Sequence, residues 1–499
     1  MAVTGPIRSA SLEILEAFNT DVLVVAVAIL LALAAFKLTQ WLPVPAPVLL
    51  LIAAAIASDL FPELGINVAT VERIGIVALI VILLDGGMHV GWTRFRGSVY
   101  PITMLGIVGT FLTAALVAVA AHSLLDFGWT TSWLLGAALA PTDPAVMFSV
   151  LGNREVGGRS GTILEGESGA NDPVGIALMI GMIEYATSDE GSALGIVSEV
   201  VVEMAVGLVV GVIGARLLIP LMQRVSLPRE GLYPIRILAV GGVVYGVTAT
   251  LHGSGFLAVF IVGLLIGDIH APYKTEIERF HTALASLAEI AVFVALGLTI
   301  FGPTNLWDDL PEGIVLFLFL ALVARPIAVA LLLWRVRLRT AEKIFIAWGG
   351  LKGAVPILLA AFALVGDVPD APAIYNIVFV VVALSVLVQG STIPWVAHRL
   401  GIPMRLVEPE PRDISIRLRE PGQVQLYTVG PRSRVLGSAI RDLPLGERAW
   451  VSFVVQDGKA RQARGSHVFK VGDEVHVLGD PDDERVLQRL FEGPQPGDD

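Results

Sequence analysis

Carboxylates held away from water are the residues in this chain with chemistry to offer. One apolar stretch contains Pro141-Thr142-Asp143-Pro144, and the next contains Glu167-Ser168-Gly169-Ala170-Asn171-Asp172-Pro173. Helical residues four apart share a face, so Glu167 falls beside Asn171 and Ser168 beside Asp172. Asp143 and Asp172 supply two carboxylates, and Thr142 and Ser168 add hydroxyls. The prolines flanking Asp143 remove amide donors and disturb the preceding turn, which frees carbonyl oxygens. The set is hard and rich in oxygen, the donor type that suits alkali cations rather than soft metals. A carboxylate withdrawn from water also takes up a proton more readily. A site that holds a cation or a proton, never both, is the minimum device for exchanging one for the other.

Other ionisable residues interrupt apolar sequence, where they are expensive and usually have a function. Arg325, in Val323-Ala324-Arg325-Pro326, needs a buried counter-charge, and Glu167 is the expected partner in a structural pair. Lys352 stands in Gly349-Gly350-Leu351-Lys352-Gly353-Ala354-Val355-Pro356. Asp85 suits a solvated helix end and an ion funnel equally. Glu289 reads as a side chain satisfied by a partner helix. Asp268 and His270 read as inner-surface residues, and His252 as part of an outer turn.

The elements that must position these residues are membrane helices. Of the 499 residues, 55% are hydrophobic and 16% are charged, against about 25% charged in soluble proteins. That composition excludes a typical soluble enzyme and a disordered chain. The net charge of −11 offers no basic field for nucleic acid. The absence of cysteine rules out thiol catalysis and thiolate metal sites. The first twenty residues lack a basic segment before an apolar core, so no cleaved signal peptide is expected.

Apolar stretches of spanning length recur from 21–37 to 373–396, thirteen in all. The loops after odd-numbered spans carry Lys37, Arg94, Arg96, Arg154, Arg159, Arg224, Arg229, Arg236, Lys274, Arg279, Arg335, Arg337, Arg339 and Lys343. The opposite loops carry acids, among them Asp59, Glu63, Asp126, Asp189, Glu190, Asp308, Asp309, Asp367 and Asp370; Arg8 and Arg73 are the exceptions. This alternation follows the positive-inside rule and places the N-terminus outside and the polar tail inside.

The two interrupted spans, at Asp143 and Lys352, lie about 210 residues apart, and the block 22–185 repeats at 232–395 with that offset. Seven spans separate the copies, so the second enters from the opposite side. Paired interruptions in inverted halves point to a secondary transporter's binding site. Broken backbone at membrane depth is tolerated only where protein or a water-filled cavity covers it. The expected fold is therefore an all-α polytopic membrane protein of about thirteen helices, in two inverted repeats with two broken crossing helices, followed by a small cytoplasmic α/β domain.

The two carboxylate motifs, with His252-Gly253-Ser254-Gly255-Phe256-Leu257-Ala258-Val259 and Trp348-Gly349-Gly350-Leu351-Lys352-Gly353-Ala354-Val355-Pro356, resemble the monovalent cation–proton antiporter superfamily. The Asn171-Asp172 pair is similar to its Na+/H+ exchanger branch, generally electroneutral. The resemblance covers about 20–400. It implies that Asp143 and Asp172 ligate the alkali cation and exchange protons, that Thr142 and Ser168 contribute oxygens, and that Asn171 stabilises the crossing. It implies no cofactor. The family usually has arginine at Lys352; lysine keeps the charge but loses the bidentate fork.

Residues 403–499 are about 31% charged, against about 12% for 1–402. The organisation expected is a transmembrane domain over 1–402, a linker over 403–411, a regulatory domain over 412–490 and a tail over 491–499. Strands are predicted at 424–429, 450–455 and 474–478, with a helix at 482–491. The pattern from Leu436-Gly437 through Val471-Gly472-Asp473-Glu474-Val475 resembles the TrkA-C (RCK C-terminal) domain of potassium channels and transporters. That resemblance implies cytoplasmic regulation, with a cyclic dinucleotide as one candidate effector; a plain dimerisation module is the alternative. Together these readings give a homodimeric K+ (or Na+)/H+ antiporter, embedded in lipid in a bacterial inner membrane. A ligand-gated K+ channel would need a T-V-G-Y-G-like filter, and none is visible. An ATP-driven pump would need G-x-x-x-x-G-K-[ST], also absent. A membrane enzyme using Asp143 and Asp172 as acid and base finds no His cluster or nucleophile elbow to support it.

Overall fold

The apolar stretches fold as helices, because a backbone in lipid must satisfy its own donors and acceptors. The computed structural model describes residues 5–38, 45–61, 66–143, 154–187, 193–299, 306–406, 424–431, 433–443, 445, 449–456, 459–479 and 484–493. Pro144 and the rest of 144–153, Glu63, Asp189, Glu190, the linker residues 408–411 and the end of the tail, 494–499, lie outside the described residues. The chain divides into two compact units, Met1–Leu406 and Val407–Asp499.

The first unit is helical. Its helices are α1 (Gly5–Leu38), α2 (Ala46–Leu60), α3 (Val68–Val90), α4 (Val99–Leu125), α5 (Trp129–Leu139) and α6 (Arg159–Thr187). They continue with α7 (Ala193–Arg224), α8 (Leu232–Thr250), α9 (Gly255–Gly267), α10 (Lys274–Gly297), α11 (Leu310–Leu332), α12 (Thr340–Trp348), α13 (Ala354–Val365) and α14 (Ala371–Arg399). Among the described residues, six helices are long and apolar enough to cross a membrane: α4, α7, α8, α10, α11 and α14. Val22–Leu38, α2, α9 and α13 are shorter apolar helices. Length and composition thus single out fewer spans than the thirteen counted from the sequence.

Packing inside this unit relies on small residues where helices meet. A Cβ at Gly263 of α9 would strike the Leu84 carbonyl of α3, and one at Gly267 would lie 2.5 Å from that of Met88. Close backbone approach of this kind is how helices associate in lipid, where the hydrophobic effect gives no drive. Three helices widen locally into π turns, at Met104–Val108, Leu320–Ala324 and Ser385–Gly390. Outward faces remain apolar; Leu217 on α7 is 70% exposed and Leu30 on α1 is 65% exposed. A two-stranded antiparallel ribbon joins β1 (Arg154–Val156) to β2 (Met404–Leu406). Residues 403–406, read from the sequence as linker, therefore take part in a hydrogen-bonded element of the first unit.

The second unit is a four-stranded antiparallel sheet with one helix. Strands β3 (Val424–Thr428), β4 (Ala449–Gln456), β5 (Lys459–Gln462) and β6 (Glu474–Gly479) lie in the order β3-β6-β4-β5, and α15 (Glu484–Phe491) follows. Tyr427, Val454, Phe469, Val475, Val477 and Phe491 form the core. Gly472 turns the chain into β6 at φ 87°, and Asp473 Oδ2 accepts from the Lys470 amide at 2.9 Å. Strand β5 escapes a reading of the sequence, because Lys459-Ala460-Arg461-Gln462 has no apolar alternation to announce it.

Candidate functional site

Two interrupted segments meet in the first unit. Helix α5 ends at Leu139, and the chain runs on without helix to Asp143. Helix α12 ends at Trp348, and α13 begins at Ala354. The segments between are joined directly: the Asp143 amide donates to the Leu351 carbonyl at 2.8 Å. The Asp143 carboxylate sits against Gly353, so close that a Cβ there would overlap it. Only glycine admits that approach. Lys352 reaches the other way. Its Nζ donates to the carbonyls of Ala140 at 2.9 Å and Pro141 at 2.8 Å.

Each half-helix end therefore meets a charge of the sign that its dipole favours. The carbonyl-rich C-terminal end of α5 receives the Lys352 ammonium, and the N-terminal end of α13 has the Asp143 carboxylate beside it. The sequence leaves the carbonyls at this break open for a cation. In the structure two of them, Ala140 and Pro141, are occupied by Lys352. Lysine needs no bidentate partner here, because two of its three donors reach separate carbonyl oxygens.

Helix α6 passes beside this junction and presents its polar residues in two layers. In the first, Arg325 Nη1 and Nη2 grip Glu167 Oε1 and Oε2 at 2.5 and 2.8 Å, a bidentate pair with both side chains buried. Arg325 follows the π turn at Leu320–Ala324 directly. In the second layer Asn171 Nδ2 donates to Thr142 Oγ1 at 2.7 Å, tying α6 to the first break. Asp172 lies one residue on, 5% exposed, and its Oδ1 is sealed from solvent without a hydrogen-bond partner among the described residues. Ser168, one turn earlier on the same face, and Thr142 are buried as well. Asp143, Thr142, Asn171 and Lys352 thus meet at the crossing, with Ser168 and Asp172 buried on the adjoining stretch of α6 and Glu167 and Arg325 alongside.

A fully buried carboxylate oxygen with no partner is costly. A cation beside it, or a proton that neutralises it, would relieve that cost. Among the described residues no cluster of three or more His, Asp or Glu side chains is arranged to hold a metal ion. The region offers instead the mixed carboxylate, hydroxyl and carbonyl oxygens that suit an alkali cation.

Sequence reasoning missed the support behind the second break. The Lys352 amide donates to Ser385 Oγ at 3.0 Å, Ser385 donates to Gln389 Oε1 at 2.8 Å, and Gln389 Nε2 donates to the Trp348 carbonyl at 3.2 Å. The signal was present: two polar residues four apart in an apolar span, both inside a π turn. Asp85 proves to be buried, not solvated. It accepts from Thr282 at 3.2 Å, and its carboxylate lies 3.4 Å from His89 Nδ1. Asp268 caps a turn by accepting from the Thr93 amide at 2.6 Å, and His252 closes an αL turn at φ 54°. Glu289 departs from the expectation of a satisfied residue, because its Oε1 is sealed without a partner among the described residues.

Two broken helical segments crossing beside a buried, unsatisfied carboxylate define a class of protein: a membrane transporter that binds a small ion at the break. The sodium/hydrogen exchanger transmembrane family matches over residues 25–399, and the TrkA-C domain family over 424–492. The chain belongs to the sodium/hydrogen exchanger family, whose members are cation/proton antiporters rather than enzymes, and carries a TrkA-C domain behind the multi-pass membrane region. Among curated relatives it is 33% identical to the K(+)/H(+) antiporter NhaP of Alkalimonas amylolytica, with 93% of this chain and 82% of that protein covered. It is 31% identical to the K(+)/H(+) antiporter NhaP2 of Shewanella oneidensis, covering 83% and 73%. Its fold resembles the sodium proton antiporter MjNhaP1 of Methanocaldococcus jannaschii, with a TM-score of 0.68 and 24% identity over 77% of this chain and 99% of that one.

Proposed function

We propose that this protein is a K+/H+ antiporter in which the cation and the proton compete for Asp172 and Asp143. The observation that carries this reading is the buried Asp172 Oδ1 without a partner among the described residues, beside a break in the membrane backbone. When protonated, the carboxyl is neutral and its burial costs far less; when ionised, it needs a cation. Thr142 and Ser168 add oxygens to the cation, and Asn171 holds α6 against the break. Alternating access moves the two inverted halves, thirteen spans in all, around this fixed site. Each cycle exchanges one cation for one proton, so transport is electroneutral; the Asn171-Asp172 pair provides a single titrating position.

The choice of K+ rests on the likeness to the K(+)/H(+) antiporters NhaP and NhaP2 and on the TrkA-C domain. The protein works as a homodimer in a bacterial inner membrane, with its N-terminus outside. The TrkA-C domain faces the cytoplasm and adjusts transport by binding an effector, for which a cyclic dinucleotide is the leading candidate. A Na+/H+ antiporter whose tail serves only dimerisation is the second reading, favoured by the family match itself.

The test is reconstitution into sealed vesicles with a trapped pH dye, under imposed gradients of K+, Na+ or Li+. Proton movement driven by K+ and insensitive to membrane potential is expected. Preference for Na+ selects the second reading, and potential-dependent accumulation overturns the one-for-one stoichiometry. Cation flux without proton movement defeats antiport altogether.

A further inference from the structure

Glu289 stands on α10 and has no place in the site as built so far. Its Oε1 is sealed from solvent and makes no hydrogen bond among the described residues. The charged group within its electrostatic reach is the Asp143 carboxylate, a like charge that does nothing to satisfy it. Helix α10 packs against α2 and α3 on one side and touches α13, the half-helix that starts at the second break. Glu289 thus approaches the crossing from a helix that contributes nothing to the crossing itself.

Its register on α10 adds a second observation. Thr282 and Glu289 are seven residues apart, two turns, which places them on one face about 10 Å apart along the axis. Thr282 donates to Asp85 on α3, and Asp85 in turn lies against His89. His89 closes the end of α3 that leads into the short basic helix Trp92–Arg96, with Arg94 and Arg96. Polar groups therefore line the facing surfaces of α3 and α10 in sequence: His89, Asp85, Thr282, Glu289, then Asp143. From Ala283 to Gly297, α10 carries only Ser286 and Glu289 as polar side chains, so a carboxyl sealed at that depth is costly unless something uses it.

We propose that Glu289 is a further ion-binding residue of the transport path, offering its carboxyl oxygen to a monovalent cation passing between the end of the bundle that carries Arg94 and Arg96 and Asp143/Asp172. This rests on the antiport reading above. A side chain from the opposite helix completes an oxygen shell that the crossing supplies from one side only. A cation reaching Glu289 has exchanged part of its hydration for protein oxygens before it meets Asp172.

The test uses the full-length protein in vesicles and separates cation half-saturation from maximal rate. Glu289→Gln keeps the shape and removes the charge, so half-saturation by K+ should rise about tenfold, equivalent to about 1.4 kcal/mol. Maximal rate at saturating cation should stay near the wild-type value. Glu289→Asp, with the carboxylate restored on a shorter stem, should recover most of the loss. Unchanged half-saturation in Glu289→Gln overturns the proposal. So does an equal fall in maximal rate for both variants at unchanged half-saturation, which marks a packing role. If Glu289→Gln fails to insert, stabilisation of Glu289→Ala by K+ in a thermal melt is read instead; a response equal to wild type overturns the proposal, and a weaker one supports it. Failure of the antiport reading is separate, because it appears as cation-independent proton traces in the unmodified protein.

Discussion

Five residues of one helix separate Glu167 from Asp172, about 7.5 Å along the axis, yet the two carboxylates live in opposite circumstances. Both are buried. Glu167 has each oxygen taken by Arg325, at 2.5 and 2.8 Å. Asp172 has an oxygen sealed away with no partner among the described residues. Burial alone therefore does not mark a working residue. A saturated carboxylate has no remaining use for an ion, whereas an unsaturated one is completed by the substrate and emptied when it leaves. On the proposed reading, the first layer is scaffold and the second is where exchange takes place.

The contrast breaks first at Asp172. Asp172→Asn should abolish cation-driven proton movement in vesicles while the protein still inserts, because the amide cannot cycle between charged and neutral forms. Robust exchange in that variant would remove the proposed mechanism.

Arg325→Met should give a comparable loss of a different kind. It leaves Glu167 charged and buried without a partner, which costs about 3–5 kcal/mol, so folded protein should fall in yield and in thermal stability. Combining it with Glu167→Leu should recover much of that stability, since replacing a buried pair by apolar residues is often neutral. If Arg325→Met melts like the wild type but is inactive, Arg325 belongs to the working layer and the comparison collapses.

Asp143→Asn should be severely impaired but not silent. Its amide bond to Leu351 survives the change, and what disappears is the charge at the start of α13. A variant as dead as Asp172→Asn would make the two aspartates equal partners. The smallest effect belongs to the tail. Deleting the residues after Leu406 should preserve exchange and shift its pH set-point or effector response. Effector coupling of about 1–3 kcal/mol, roughly 5- to 150-fold, is the ordinary range. Exchange lost from an inserted, dimeric truncation would place the tail inside the transport machine.

The breaks were legible in the sequence because prolines, glycines and charges are costly inside apolar stretches and seldom gather there unless a site requires them. Glu167 and Arg325 could be named together because two opposite charges in lipid must find each other, and the structure brings their side chains into contact. Lys352 was harder. Its partners are the Ala140 and Pro141 carbonyls, and a backbone acceptor leaves no trace in residue types. Asp85 was ambiguous for a related reason, since Thr282, 197 residues away, decides whether it is solvated or bonded. The count of spans also depends on joining interrupted halves, which length and composition alone do not do.

The small ribbon between β1 and β2 has a mechanical consequence. Arg154, Glu155 and Val156 pair with Leu406, Arg405 and Met404, and the Gly157 amide adds a bond to the Pro403 carbonyl at 2.7 Å. Helix α6 starts at Arg159, so the chain leaving the membrane unit is clamped to the foot of the helix that carries Asp172. Asp172 lies thirteen residues up α6, about 20 Å from its foot. One continuous helix thus joins the ribbon at its foot to the Asp172 carboxylate.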